Sequence, residues 1–185
     1  MKRTARNSTL IAVALAMTLF LAKSSTAWAA NDVSSADLQA VARAIGFLNG
    51  TPNDGTVVVG IVYADTVDGR AKANQIAALL GSLPGPNKTK FRAILVAAKD
   101  LAQAPGRLDA VILMPNQLVP SNEIAEAVRR RHVVSVSTDA SCLDAKCCVL
   151  MVQTVGRVRI VIDTALADAV GARFSTVFMM IVERK

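Results

Sequence analysis

Apolar residues recur along this chain in two patterns, one typical of helices with a single buried face and one typical of buried strands. The helical spacing of three and four positions occurs in three segments before residue 132. They contain Leu38, Val41, Ala42, Ile45 and Leu48; Ala73, Ile76, Ala77, Leu80 and Leu83; and Ile124, Ala125 and Val128. Ser34 with Asp37 predicts an N-terminal cap for the first helix, and the run from Pro84 to Pro86 predicts the end of the second.

Continuous β-branched and apolar runs between these helices predict strands, and the first has the composition of a strand covered on both faces. The predicted strands are TVVVGIVY (Thr56–Tyr63), FRAILVAA (Phe91–Ala98), LDAVILM (Leu108–Met114) and HVVSVST (His132–Thr138). Turn-forming residues cluster between the elements, in GTPNDG, ADTVDG and AQAPGR. Strands that alternate with helices predict an α/β fold built on a mostly parallel sheet.

The C-terminal end departs from this alternation. CVLMVQT and RVRIVID are joined by a tight connection around Val155 and Gly156, which predicts an antiparallel hairpin. A short helix, TALADAV, is stopped by Gly171, and the apolar residues after it fall on one helical face. They are Phe174, Val177, Phe178 and Ile181. We therefore predict a single α/β domain: a mostly parallel sheet with flanking helices and a C-terminal antiparallel hairpin.

The N-terminal residues have the three-part layout of a secretory signal peptide. Basic residues precede the apolar stretch 9–22, and Ala27 and Ala29 form a small-x-small cleavage signal. We predict cleavage after Ala29, so that residues 1–29 are the signal peptide and residues 30–185 the mature domain. The apolar stretch is shorter than the ~20 residues of a membrane-spanning helix, so we expect no stable membrane insertion. An uncleaved membrane anchor is the alternative.

The basic charge of the chain belongs partly to this export signal. Residues 1–29 contain four Lys or Arg residues and no acid, so their removal lowers the formal net charge from +7 to +3. An aromatic content of 4% supplies no stacking platform for bases, and we expect no nucleic-acid binding. Export also implies an oxidising compartment, in which thiols tend to pair.

The sequence contains no recognisable catalytic set or cofactor-binding loop. The single histidine, His132, follows the run Arg129–Arg131, and nothing nearby suggests a catalytic partner. Basic groups at a helix end interact well with the helix dipole, and a patch that docks an acidic partner or lipid headgroups is the functional alternative. Asp65 and Asp68 follow the first strand, where open sheets bind ligands, but the phosphate-binding glycine spacings are absent. We expect no enzymatic activity and no cofactor.

Three cysteines, all within SCLDAKCCVLM, are the only ones in the chain. Structural zinc needs four ligands in spaced pairs, and a thioredoxin-like motif precedes a helix, so metal binding and redox catalysis are both disfavoured. A disulfide from Cys142 to Cys147 or Cys148 would close a short loop and stabilise the fold by about 2 to 3 kcal/mol at most. We expect such a bond to shape a surface loop more than the core, and the odd cysteine to be buried or reactive.

The C-terminal third, Ser135–Glu183, resembles the YfiR-like (YfiR/HmsC) periplasmic proteins of Gram-negative bacteria. Family members have a strand ending in Ser or Thr before an acid, a loop, a hairpin and two short helices. In one branch the loop carries Cys, five residues, then Cys, which matches Cys142 and Cys148. The segment 42–48 and the first and third predicted strands also lie where the family has equivalents. The chain departs from the family at Ile160–Asp163 and at Cys147, which replaces a small residue.

The resemblance implies a non-enzymatic periplasmic regulator. Better-understood members bind the periplasmic part of an inner-membrane diguanylate cyclase and hold it inactive, which couples envelope or redox stress to cyclic-di-GMP signalling and biofilm formation. It also implies a Cys142–Cys148 disulfide, with Cys147 as the alternative to Cys148, and an interaction surface near the loop 139–148 and the hairpin after it. A homodimer is compatible with the sequence. The second hypothesis is a periplasmic solute-binding component of a transporter, although such proteins usually have two lobes.

Overall fold

The computed structural model describes residues 33–51 and 55–185. The predicted signal peptide, residues 1–29, lies outside this part of the chain. The helices are α1 (Ser35–Gly46), α2 (Val67–Ser82), α3 (Ser121–Arg131), α4 (Ser141–Asp144), α5 (Thr164–Ala169) and α6 (Thr176–Ile181). The strands are β1 (Thr56–Tyr63), β2 (Lys90–Ala97), β3 (Ala110–Leu113), β4 (Val134–Ser137), β5 (Leu150–Gln153), β6 (Arg159–Ile162) and β7 (Glu183–Arg184). Short 3-10 turns occur at Pro86–Lys88 and Ala98–Gln103.

The strands form one sheet in the order β2-β1-β3-β4-β5-β6-β7. Every neighbouring pair is parallel except β5 and β6, which form the antiparallel hairpin. The predicted single α/β domain with a mostly parallel sheet is thereby confirmed. The parallel part has the order 2-1-3-4-5, in which the chain changes direction across the sheet between β1 and β3.

Burial explains why the strands were visible in the sequence. Seven of the eight residues of β1 are buried, and so are all residues of β3 and β4. A strand covered on both faces has no polar side to alternate with, so it is encoded as a continuous apolar run. β2 is the exception, because it lies at the edge of the sheet and several of its residues are only partly buried.

The first helix is fastened to the hairpin by a buried carboxylate. Asp37 completes a capping box with Ser34, and its Oδ2 accepts hydrogen bonds from the Ser34 backbone and hydroxyl at 3.1 and 2.7 Å. Its Oδ1 accepts two more from Thr154, just after β5, from the backbone N–H at 3.0 Å and the hydroxyl at 2.8 Å. One side chain therefore caps α1 and holds it against the end of β5.

Three local predictions were wrong in detail. His132 does not begin a strand but ends α3 in a left-handed conformation with φ of 49°, and β4 begins at Val134. α2 begins at Val67, inside the stretch ADTVDG that was predicted to be a turn, because the Thr66 hydroxyl accepts a hydrogen bond from the Gly69 N–H and caps the helix early. The apolar face predicted for the last helix is not buried as a whole.

Only Phe178 of that face is fully enclosed, stacked between Phe47 and Phe174 with ring centroids 5.1 Å away in each case. Val177 and Ile181 are exposed, and the chain then adds the unpredicted strand β7 beside β6. A helix at the edge of a sheet has few neighbours, so its apolar spacing does not ensure burial. Among the helices of the described residues, none combines the length and apolarity needed to cross a membrane.

Candidate functional site

The loop predicted to bind a partner is the crossover between β4 and β5. Residues 138–149 make this connection, with the single-turn helix α4 in the middle. Parallel strands normally need a crossover of about a dozen residues or more, so the segment is close to the shortest that can join them. A connection this short has little conformational freedom. Its residues include the three cysteines of the chain.

The disulfide lies within this crossover. Cys142 and Cys148 are bonded, with Cα atoms 5.5 Å apart, in the range usual for disulfides. Both are buried, as is Leu143 between them, and all three belong to the hydrophobic core. The expectation that the bond shapes a surface loop more than the core was therefore wrong. The crossover folds back over the sheet, so its cystine is packed like a core side chain.

Backbone hydrogen bonds reinforce the same turn. The Cys147 N–H donates to the Cys142 carbonyl oxygen at 3.0 Å, and Lys146 occupies the left-handed position with φ of 53°. Ser135, fully buried in β4, donates its hydroxyl to the Cys147 carbonyl oxygen and accepts from the Val149 N–H, both at 3.1 Å. The conformation of the crossover thus depends on the sheet as well as on the disulfide.

Cys147 is the odd cysteine, and it is buried. Its Sγ lies 3.5 Å from the Cys142 carbonyl oxygen, and burial raises the pKa of the thiol. The thiolate is the reactive form of cysteine, so a raised pKa and a closed environment both slow its chemistry. Of the two fates predicted for the odd cysteine, burial is the one observed.

We predict that native Cys147 reacts with a maleimide at least about tenfold more slowly than an exposed thiol, because its thiolate fraction and its accessibility are both low. The rate would be followed by mass spectrometry near neutral pH. An Ala78→Cys variant supplies the matched exposed thiol, on the solvent side of α2. Labelling of Cys147 in the folded wild-type protein as fast as labelling of that added cysteine would contradict the assignment.

The hairpin leaves the same end of the sheet as the start of the crossover. β4 and β5 are parallel neighbours, so the residues after Ser137 and those after Gln153 emerge side by side. At the hairpin tip Val155 and Val158 are 93% and 64% exposed. These two side chains give the tip an apolar surface that a protein partner could cover. This end of β4 and β5 is the candidate interaction surface.

The arginines at the end of α3 make different contacts. Arg130 pairs with Glu126 on the helix surface. Arg131 donates to the carbonyl oxygens of Ala104 and Gly106 at 2.7 and 2.9 Å, which secures the turn before β3. Within residues 33–51 and 55–185, no acid or cysteine hydrogen bonds to the side chain of His132.

The two aspartates after β1, Asp65 and Asp68, interact with different lysines. Asp65 pairs with Lys99 at 2.5 Å, and this cation lowers the pKa of the carboxyl. Asp68 lies in the first turn of α2, 3.6 Å from Lys72. It lines a crevice of about 390 Å³ between the loops after β1 and β3, together with Asn116 and the apolar Ile76 and Met114.

This crevice occupies the point where strand order changes, which is where open α/β sheets usually bind ligands. Its lining is mixed, with amide, carboxylate, ammonium and apolar groups. In the described part of the chain, no group of three or more His, Cys, Asp or Glu residues is arranged to hold a metal ion. The crevice is the feature that a solute-binding function would use.

No protein-family model matches this chain, and a search of curated proteins found no significant match either. The YfiR-like resemblance of residues 135–183 therefore stays a prediction from the sequence.

Proposed function

We propose that this protein is an exported, YfiR-like regulator that performs no chemistry and binds the periplasmic part of an inner-membrane diguanylate cyclase. The observation that supports it best is the disulfide that closes the crossover just before β5; the exposed apolar residues of the hairpin tip lie at the other end of β5. A disulfide is stable in non-reducing compartments such as the periplasm, which agrees with the predicted signal peptide. A short, doubly constrained loop gives a preformed binding surface, since little conformational entropy is lost on association.

The proposal is tested by affinity capture from cell envelopes of the producing organism. Tagged mature protein, residues 30–185, is incubated with detergent-solubilised envelopes, with and without a reductant, and the bound proteins are identified by mass spectrometry. We expect an inner-membrane protein with a diguanylate cyclase domain, and we expect reduction to release it. Capture of transporter subunits, or of no envelope protein, would argue against the regulator.

We predict that a Cys142→Ala, Cys148→Ala variant binds the captured partner at least about tenfold more weakly, because the crossover loses its closure. Its free energy of unfolding should fall by about 2 to 3 kcal/mol on the chain-entropy estimate. Binding is measured by surface plasmon resonance, and folding by circular dichroism. The matched control is Cys147→Ala, which removes a neighbouring buried sulfur but leaves the disulfide. Unchanged partner binding by the folded double variant would contradict this role for the bond.

The crevice between the loops after β1 and β3 favours a second candidate function, a solute-binding component of a transporter. Its volume of about 390 Å³ lies within the range of small-molecule sites. A bound metabolite, detected by native mass spectrometry of protein purified from its source, would support this function. Against it, the described residues form one α/β domain, whereas solute-binding proteins usually enclose their ligand between two lobes.

A further inference from the structure

One side chain of the basic run at the end of α3 is left without a partner. The side chains of Arg130 and Arg131 are engaged as described above, but the Arg129 side chain forms no ion pair or hydrogen bond with any described residue. It lines a cleft of about 430 Å³ whose other walls are the crossover and α5. We call this the crossover cleft. Its lining includes Leu143, Lys146, Asp163 and Leu166.

Both carboxylates of the cleft have a partner within the protein, whereas the side chains of two of its cations have none. Asp144 pairs with Lys185 at 2.5 Å, and the Asp163 carboxylate caps α5 by accepting from the Leu166 N–H at 2.8 Å. The Lys146 side chain, like that of Arg129, has no ion pair or hydrogen bond among the residues described. The cleft therefore presents two cations without an ion pair beside the single helix-capping carboxylate of Asp163, and the buried side chains of Leu143 and Leu166 form its floor.

The disulfide holds one wall of this cleft. Leu143 and Lys146 both lie between the bonded Cys142 and Cys148, and Lys146 keeps a left-handed backbone that directs the turn. Opening the bond would loosen an apolar floor residue and a cationic residue together. A ligand that needs both would therefore bind in a manner that depends on the oxidation state.

We propose that the crossover cleft docks an acidic segment of the protein partner, with carboxylates on Arg129 and Lys146 and an apolar side chain over Leu143 and Leu166. This inference rests on the proposed function and specifies the chemistry of its partner. Charge complementarity selects the acidic segment, since arginine and lysine recognise carboxylates through charge-assisted hydrogen bonds. An apolar floor beside the cations suits a peptide with alternating acidic and apolar residues better than a free inorganic anion.

The test is site-specific photo-crosslinking of the full chain in its own cells. A benzoylphenylalanine replaces Ala169, an exposed residue of α5 that lines the cleft, and the crosslinked partner peptide is sequenced by mass spectrometry. The control position is Ala78, exposed on α2. Each is combined with Arg129→Glu or with Arg130→Glu, which make the same charge change at adjacent positions of one helix. Only Arg129 lines the cleft.

We expect a crosslink from position 169 to an acidic segment of an envelope protein and none from position 78. The yield of the crosslink from position 169 should fall about tenfold or more with Arg129→Glu but not with Arg130→Glu. Equal effects of the two substitutions, or a crosslink to lipid, would overturn the proposal. If affinity capture recovers a partner that position 169 never crosslinks, the cleft proposal fails and the proposed function stands. If capture recovers no partner, the proposed function itself fails.

Discussion

Replacement of Asp37 by alanine should lower the free energy of unfolding by about 3 to 4 kcal/mol, one of the largest effects of any single polar residue here. Its carboxylate accepts four hydrogen bonds, two from Ser34 and two from Thr154, and is only 7% exposed. Hydrogen bonds to a charged group contribute about 1.5 to 3 kcal/mol each, and the losses overlap because the donors can partly rehydrate. The measurement is urea unfolding followed by circular dichroism.

The control for Asp37→Ala is Thr66→Ala, which removes the side-chain cap of α2 where the cap is exposed and joins no other element. Loss of an ordinary N-cap lowers the free energy of unfolding by about 1 kcal/mol. The difference between the two variants therefore measures the attachment of α1 to the hairpin. If Asp37→Ala were no more destabilising than Thr66→Ala, the bonds to Thr154 would contribute nothing to stability.

Replacement of Phe178 by alanine should lower the free energy of unfolding by about 3 to 5 kcal/mol, the usual effect of removing a buried aromatic ring. Phe178 is fully buried between two other phenylalanines, one from the end of α1 and one from the segment before α6. The cavity cannot close easily, because its walls belong to separate elements. Thermal unfolding gives a second measure, because each kcal/mol of lost stability lowers the Tm by about 2 to 4 °C in a chain of this size.

Met180→Ala is the matched control on the same helix, since Met180 is 79% exposed. A substitution at such a position changes stability by about 0.5 kcal/mol or less. A similar loss of stability in both variants would mean that the apolar face of α6 is covered in solution, by a second copy or by another protein. Analytical ultracentrifugation of the wild-type chain would then identify a homodimer.

The candidate site could be predicted only in part. The disulfide and its position just before β5 could be predicted from a short stretch of residues, and export stays a prediction from the N-terminal sequence. The burial of the cystine could not be foreseen, because a loop of polar and small residues is usually on the surface. Here β4 and β5 are parallel neighbours, so the loop must return along the sheet, and its cysteines are covered as it does so.

The crossover cleft lay beyond the reach of sequence analysis for a similar reason. Arg129 belongs to α3, Lys146 to the crossover and Leu166 to α5, and no local spacing relates the three. Arg129 is one of three consecutive arginines, and the local sequence does not show which of them forms an ion pair. Only the packing of α3 against its neighbours decides which of them pairs with Glu126, which secures a turn, and which remains unpaired.

The sequence by itself determined the class of the fold and the elements at its centre. Thr56–Tyr63 was predicted as a strand and is β1, and Ser34 was predicted to cap α1 and does so. Buried strands and capped helices are encoded locally, in apolar runs, periodicity and a few hydrogen-bonding side chains. The tertiary structure alone decided the order of the strands, the burial of the cystine, the exposure of most of α6 and the unpaired state of Arg129. Those features depend on contacts between residues far apart in the chain, which local patterns do not record.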